Sequence, residues 1–173
     1  MTNRKKISLA IFLIIFGLIV YYFFPEKKLP PNIQINKLVV FKSKRQMLAY
    51  SDGALIKTYK ISLGKAPIGH KEFKGDKKTP EGNYIIDDKN SNSDFHKNLG
   101  ISYPNKTDKA NANRIRKEAG DDVKIHGLLN GLGFIGKFHR WFDWTSGCIA
   151  VTDEEIDELY NAVKINTQIE INP

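Results

Sequence analysis

The 173-residue sequence contains a single cysteine, Cys148, so it can form no intrachain disulfide. If the chain is exported, an unpaired cysteine has three possible roles. It can form a disulfide with another chain, remain a free reactive thiol, or be an inert buried thiol that packs as a small hydrophobic side chain. The sequence also lacks the H-E-x-x-H and C-x-x-C zinc motifs, the G-x-S-x-G serine elbow and the P-loop. These absences remove the commonest sequence signatures of metalloproteases, serine hydrolases and nucleotide-binding enzymes.

Long apolar runs are absent except for one, ISLAIFLIIFGLIVYYFF at residues 7–24, which carries no charge. Its length reaches the lower limit for a helix that crosses a bilayer, and Tyr21 and Tyr22 suit the headgroup zone. No A-x-A-like cleavage site follows, so residues 1–24 are expected to form an uncleaved membrane anchor rather than a signal segment. The basic residues of MTNRKK favour a cytoplasmic N-terminus. The remainder is therefore expected outside the cell membrane, on the periplasmic or cell-wall side.

Residues 25–33 are rich in proline and predict a short, stiff linker, which leaves residues 34–173 as one domain. The whole chain has 27 Lys and Arg against 19 Asp and Glu, a net charge of +8. Five of the basic residues and one acid lie in residues 1–33, which leaves 22 against 18, or +4, for the domain. This modest excess suits an anionic envelope surface and does not favour a nucleic-acid partner.

The pattern of apolar runs and turns predicts a mainly β, β-rich α+β domain. Residues 36–64 predict a β-meander with an Asp-Gly turn, and residues 64–84 predict a long surface loop. Further strands are predicted at residues 84–87, 122–128, 147–151 and 167–171. Two helices are predicted, at residues 107–120 with a capping Thr or Asp, and at residues 152–163 with a Thr152–Glu155 capping box.

Cys148 would need a nearby base to act as a nucleophile, and His126 is the best local candidate among the four histidines. It ends a predicted strand and precedes Gly127, whose open carbonyl could fix the imidazole tautomer. The backbone N–H groups of Gly147 and Cys148 could bind an oxyanion. Three alternatives remain: a purely structural histidine, a simple turn at the cysteine, and a zinc site formed by Cys148, His126 and His139.

The pair His126-Gly127, followed by Thr145-Ser146-Gly147-Cys148, resembles the L,D-transpeptidase catalytic domain, the YkuD-type family of cell-wall enzymes. His126 stands 22 positions before Cys148, as this family pattern requires. Further ordered segments extend the resemblance over residues 37–172, towards a subgroup of small envelope members. They are GHK (69–71), GDKKTPEGNY (75–84), ISYPN (101–105), IHGLLNGLG (125–133) and DWTSGCIAVTDEEIDEL (143–159).

The resemblance implies a YkuD-like antiparallel β-sandwich or barrel with one or two short helices, preceded by one N-terminal transmembrane helix. It implies Cys148 as nucleophile, His126 as base, the Gly127 carbonyl as the tautomer-fixing group, and oxyanion donors at Gly147 and Cys148, with no cofactor and no metal. The implied substrates are peptidoglycan stem peptides. A Cys148 thioester would be resolved by an amine (transpeptidation) or by water (carboxypeptidase or endopeptidase action).

Six residues are expected to bind substrate: Thr145, Ser146, Trp144, His139, Tyr103 and His70. His139 is also a rival base, and basic residues of the GHKEFKGDKK and FHRW segments could contact acidic substrate groups. Many family members have His where this chain has Ser146, and Arg or Asn where it has Ala150, so substrate positioning is expected to differ. The rival from another functional class is a non-catalytic, membrane-tethered wall-binding module.

Overall fold

The computed structural model describes residues 3–173, and an apolar helix precedes a domain built on a single sheet. In chain order the elements are α1 (Asn3–Phe23), β1 (Ile35–Phe41), β2 (Gln46–Ser51), β3 (Ala54–Lys60), β4 (Gly82–Ser93), β5 (His96–Ile101), α2 (Lys106–Arg114), β6 (Lys124–His126), a 3₁₀ segment (Gly133–Trp141), β7 (Ile149–Ala150), α3 (Asp153–Ala162) and β8 (Val163–Asn172). The strands are ordered β3-β2-β1-β8-β4-β5-β6-β7.

The sheet is mainly antiparallel, but β1 pairs with β8 and β6 pairs with β7 in parallel. The chain that leaves β3 at one edge meets the chain around β7 at the other edge, through bridges Ser62↔Ala150 and Gly64↔Thr145. The sheet therefore curls into a half-barrel. This architecture confirms the expected β-rich fold class, with the parallel pairs as an addition that the sequence pattern did not predict.

The core lies inside the curled sheet, and α3 closes it. Leu38, Ile86 and Ile125 are fully buried on the strands, and Ile156 and Leu159 bury one face of α3. Burial of a side chain of this size contributes about 1.5–3 kcal/mol to folding. This packing fixes the strands that carry the candidate site, because β6 and β7 both run through the core.

Local signals in the sequence predicted several elements correctly. The Asp52-Gly53 turn between β2 and β3 has positive φ at both residues, as a two-residue hairpin turn requires. The capping box of α3 is present, since Thr152 accepts from the Glu155 N–H and Glu155 accepts from the Thr152 N–H. The cap of α2 differs from the prediction: it is Asn105, not a Thr or Asp, and the helix ends at Arg114.

The polar run after residue 87 was not predicted to be a strand. In the structure β4 continues to Ser93 and forms a hairpin with β5. Pairing with β5 overrides the low strand propensity of this Asn- and Ser-rich stretch. The 3₁₀ segment was also not predicted.

α1 is long and apolar enough to cross a bilayer, and none of its residues is buried within the protein. A signal sequence would have the same length and composition. The assignment of residues 1–24 as an anchor therefore stays a prediction at this point, and residues 1 and 2 lie outside the described chain.

Candidate active site

The parallel pairing of β6 with β7 brings the two principal candidates together. His126 pairs with Ala150, and the His126 carbonyl accepts the Val151 N–H at 3.0 Å. Cys148 lies two residues before Ala150, so the alternation of side chains along an extended chain puts it on the face that carries His126. The register thus puts Cys148, one residue before β7, on the side of the sheet that carries His126.

The His126 ring is held in one tautomer by the next residue. Its Nδ1 lies 2.7 Å from the Gly127 carbonyl oxygen. A carbonyl can only accept, so Nδ1 carries the proton and donates it. The neutral ring therefore leaves Nε2 unprotonated, and Nε2 is the atom that can act as a base.

Aromatic side chains surround the His126 ring. Its centroid lies 4.6 Å from that of Phe95 and 5.6 Å from that of Trp144, which is in a T-shaped arrangement. Burial in these surroundings, assisted by the Lys124 charge and opposed by the Gly127 hydrogen bond, lowers the pKa of His126 to about 4. His126 is therefore neutral at pH 7.

The Cys148 thiol is half-buried and protonated at rest. Burial and the Asp122 charge raise its pKa, while the Lys124 backbone N–H and the charges of Lys124 and Lys71 oppose that shift. Sγ donates to the Asp122 carbonyl at 3.5 Å. Within residues 3–173 no hydrogen bond joins Sγ to His126, so the described conformation holds a neutral thiol beside a neutral imidazole.

Thr145 fixes the turn that carries Cys148. Its buried Oγ1 donates to the Cys148 carbonyl at 2.8 Å and accepts the Gly147 N–H at 3.1 Å. The Gly147 N–H, expected as an oxyanion donor, is thus already engaged. The Cys148 N–H has no protein acceptor among the described residues, so it is the donor left for an oxyanion.

Two glycines in this region leave no room for a side chain. Gly147 has φ of +135°, and a Cβ there would lie 2.7 Å from the Lys78 carbonyl oxygen. At Gly127 a Cβ would lie 2.6 Å from Asp153 Oδ1, the atom that accepts the Leu128 N–H at 2.7 Å. Asp153 thus holds the chain that follows His126 against α3.

An apolar cavity of about 370 Å³ lies beside His126. His139 and Trp144, both expected to bind substrate, line it. His139 is buried, and its Nδ1 lies 3.2 Å from Ser62 Oγ. Burial and the neighbouring Arg140 charge lower its pKa to about 3. The remaining lining residues are Phe95, Leu128, Leu129, Leu132, Ile135 and Phe142.

The other residues expected to bind substrate divide into exposed and internal ones. Ser146 is exposed on the turn. Tyr103 is only 5% exposed, and its hydroxyl donates to the Ala119 carbonyl at 2.9 Å. His70 is used internally, since Nδ1 accepts the Glu81 N–H at 3.0 Å. Thr145, Tyr103 and His70 therefore have internal partners, and their binding of substrate stays a prediction.

Two of the basic residues suggested as substrate contacts, Lys71 and Arg140, are paired internally. Lys71, in GHKEFKGDKK, is buried and donates to Asp76 at 2.8 Å, which makes this stretch less solvated than the sequence suggests. Arg140, in FHRW, pairs with Glu26 and Glu155. The neighbouring aromatic residues Trp141 and Phe142 are largely exposed.

The two departures from the family pattern occupy different environments. Ser146 is exposed, whereas Ala150 is fully buried, and its backbone exchanges hydrogen bonds with Ser62. The methyl group of Ala150 therefore acts through packing. No sequence pattern indicated Phe95 or Asp153 as neighbours of the site, because only strand pairing and the docking of α3 bring them there.

The chain is similar in sequence to a known protein family. Residues 35–171 match the model of the YkuD family, the L,D-transpeptidase catalytic domain. The chain is 29% identical over 130 residues to the "Putative L,D-transpeptidase YafK" of Escherichia coli strain K12, which covers 72% of this chain and 45% of YafK.

Two solved structures share the fold. The helical cell shape determining protein Pgp2 from Campylobacter jejuni has a TM-score of 0.60 at 23% identity, over 81% of this chain and 48% of Pgp2. Bd1075 from Bdellovibrio bacteriovorus has a TM-score of 0.55 at 21% identity, over 82% and 49% of the two chains. The chain spans about half the length of these relatives. Since the family model matches most of its length, the chain belongs to the YkuD family of L,D-transpeptidase catalytic domains.

Proposed function

We propose that the protein is a membrane-anchored cysteine acyltransferase, an L,D-transpeptidase that acts on peptidoglycan stem peptides. Cys148 is the nucleophile and His126 the general base and acid. The observation that carries this proposal is the 2.7 Å contact of His126 Nδ1 with the Gly127 carbonyl, because it leaves Nε2 as the free base. The parallel register that puts Cys148 on the same face supports it further.

The reaction begins from the neutral pair. As Cys148 Sγ bonds to the carbonyl carbon of an L-centre to D-centre amide, His126 Nε2 takes the thiol proton. The oxyanion receives a hydrogen bond from the Cys148 N–H, and from the Gly147 N–H only if that group leaves Thr145. His126 then gives the proton to the departing amine of the D-amino acid, and a thioester remains on Cys148.

The second half-reaction regenerates the thiol. An amine of another stem peptide attacks the thioester, His126 takes its proton, and Sγ leaves as the new amide forms. If water attacks instead, the product is a shortened peptide, which is the carboxypeptidase or endopeptidase outcome. In both cases the proton on His126 returns to Sγ, so the two outcomes use the same residues.

The proposed location follows from α1. An apolar helix at the N-terminus, with basic residues before it, would anchor the chain with the domain on the extracytoplasmic side of the cell membrane. Stem peptides are found on that side, so the anchor and the chemistry are mutually consistent.

The test uses the full chain in detergent with defined tetrapeptide muropeptides, analysed by mass spectrometry. The proposal predicts loss of the terminal D-residue together with cross-linked dimers, or with tripeptides if water is the acceptor. Cys148→Ala should abolish both products, and a carbapenem should add its mass to the wild type but not to this variant. Turnover by Cys148→Ala would refute the thioester mechanism. Sacculus binding without acylation would favour the wall-binding module.

A further inference from the structure

The last turn of α1 contacts the 3₁₀ segment. Tyr21 Oη donates to the Lys137 carbonyl at 3.3 Å, and Tyr22 Oη donates to the Phe134 carbonyl at 2.9 Å. Lys137 Nζ donates in return to the Phe24 carbonyl. These hydrogen bonds run in both directions, so they hold the backbone of the 3₁₀ segment at the level of the two tyrosines.

Aromatic rings cluster at this junction. The Phe138 ring centroid lies 5.6 Å from those of both Tyr21 and Tyr22, and the Trp141 centroid lies 5.0 Å from that of Phe138. Two of the rings project from the catalytic domain into open space, since Phe134 is 71% and Trp141 59% exposed. We call Tyr21, Tyr22, Phe134, Phe138 and Trp141 the aromatic collar.

Ion pairs join the chain that follows α1 to the same 3₁₀ segment. Glu26 Oε1 lies 2.8 Å from Arg140 Nη1 and 3.6 Å from Lys137 Nζ. Arg140 also pairs with Glu155 of α3 at 2.8 Å. Through Glu26, the segment after α1 therefore holds the domain against the end of the helix.

We propose that the aromatic collar, including the exposed rings of Phe134 and Trp141, lies in the interfacial zone of the bilayer that α1 spans. The inference rests on the membrane anchor of the proposed function. The uncharged run ends at Phe24, one residue after α1, so Tyr21 and Tyr22 mark the depth at which the helix leaves the hydrocarbon. Phe134 and Trp141 share that depth through the contacts above, and aromatic rings are favoured there.

The docking would place one wall of the candidate active site at the membrane surface. Ile135 and His139 belong to the same 3₁₀ segment and line the cavity beside His126. The substrate class narrows accordingly, to stem peptides that approach the bilayer surface, as distinct from those deep in the wall.

The two tryptophans of the chain provide matched native probes. Trp144→Phe leaves Trp141 in the collar, and Trp141→Phe leaves Trp144 beside His126. Each variant of the full chain is reconstituted into phosphatidylethanolamine and phosphatidylglycerol vesicles, with bromine atoms either near the headgroup end or near the methyl end of the acyl chains. Trp141 emission should fall by roughly twofold or more, and most with the shallow bromines, as expected for an interfacial ring. Trp144 emission should change little.

The outcome that overturns the inference is emission of Trp141 that bromolipids leave unchanged and aqueous iodide quenches, in a chain that still floats with the vesicles after an alkaline wash. If the chain does not float with the vesicles, α1 does not anchor it, and both the proposed anchor and this inference are wrong. Turnover of muropeptides by the wild-type chain in the same vesicles reports separately on the catalytic proposal. Phe134→Trp, in a chain with Phe at positions 141 and 144, gives a second probe of the collar that should be quenched in the same way.

Discussion

Arg140 Nη2 lies 2.8 Å from Glu155 Oε1, and both side chains are almost fully buried, at 4% and 5% exposure. The second oxygen of Glu155 accepts the Thr152 N–H at 3.1 Å in the capping box of α3. This ion pair therefore joins the 3₁₀ wall of the cavity to the helix that follows β7 and Cys148.

Replacement of Arg140 by Met should destabilise the domain strongly, because it leaves Glu155 buried without its cation. We expect a loss of about 3–5 kcal/mol in the free energy of unfolding, measured by guanidinium denaturation of the full chain in detergent. Lys37→Met is the control, since its partner Glu170 and Lys37 itself are well exposed, and such pairs contribute at most about 1 kcal/mol. Equal losses in the two variants would contradict the assigned role of the buried pair.

Gly127→Ala should be destabilising even though the new side chain is a single methyl group. The Cβ would lie 2.6 Å from Asp153 Oδ1 and 3.0 Å from Ile156 Cγ2, so either β6 or α3 must move. We expect a loss of about 1–3 kcal/mol in the free energy of unfolding. Asp153→Ser alone loses the Leu128 hydrogen bond, so the double variant Gly127→Ala, Asp153→Ser is compared with the sum of the two single losses. It should lose less than that sum, because it removes the nearest clashing atom. Strictly additive losses would place the strain elsewhere.

The α3 capping box and the Asp-Gly turn could be predicted because their contacts lie within a few residues of sequence. The pairing of β1 with β8 joins Leu38 to Ile169, near opposite ends of the domain, and no local pattern encodes it. The length of β4 was missed for a related reason: its polar residues are held by β5 and not by their own propensity.

In the candidate site, too, a sequence pattern could be recognised, whereas contacts between residues distant in sequence could not. The spacing of His126 and Cys148 matches the family pattern, so the sequence alone could suggest them as a pair, and their catalytic roles stay a prediction. Tyr103 was suggested by the family resemblance as a substrate contact, and this stays a prediction; its hydroxyl donates to the Ala119 carbonyl, a long-range contact that the sequence does not display. Phe95 reaches the His126 ring through the β4–β5 hairpin, so its role depends on tertiary contacts that the sequence does not display.

Thr145→Ala should slow acylation of Cys148, since the turn loses the hydroxyl that bonds both the Cys148 carbonyl and the Gly147 N–H. We expect the second-order rate constant for acylation by a carbapenem to fall by roughly tenfold, the equivalent of one or two hydrogen bonds. Thr145→Ser keeps the hydroxyl and should retain most of the rate. Thr58→Ala, at an exposed position of β3, should leave it unchanged. If Thr145→Ser is as slow as Thr145→Ala, the methyl packing and not the hydroxyl organises the turn.

The domain should lose stability as the pH falls below about 6.5. His126 and His139 have folded-state pKa values lowered to about 4 and about 3, so between these values and the ordinary one the unfolded chain binds protons that the native chain does not. Each histidine should add up to about 1.4 kcal/mol per pH unit to the slope of unfolding free energy against pH in that window. Denaturation of wild type and of His139→Gln between pH 7 and pH 5 measures the difference. Identical slopes would show that His139 gains its proton freely in the native state.

The rate of alkylation of Cys148 by iodoacetamide should rise with pH, with a midpoint above the pKa of an ordinary cysteine thiol. Burial raises the Cys148 pKa, and His126 is neutral, so no thiolate–imidazolium pair sustains reactivity in acid. Lys124→Met should raise the midpoint further, because it removes an opposing positive charge and also leaves its 3.0 Å partner Asp122 uncompensated beside the thiol. Lys124→Arg keeps the charge and should resemble the wild type. Reactivity that stays flat from neutral pH into acid would instead indicate a preformed ion pair, and the reaction would then start from a thiolate and not from the neutral pair.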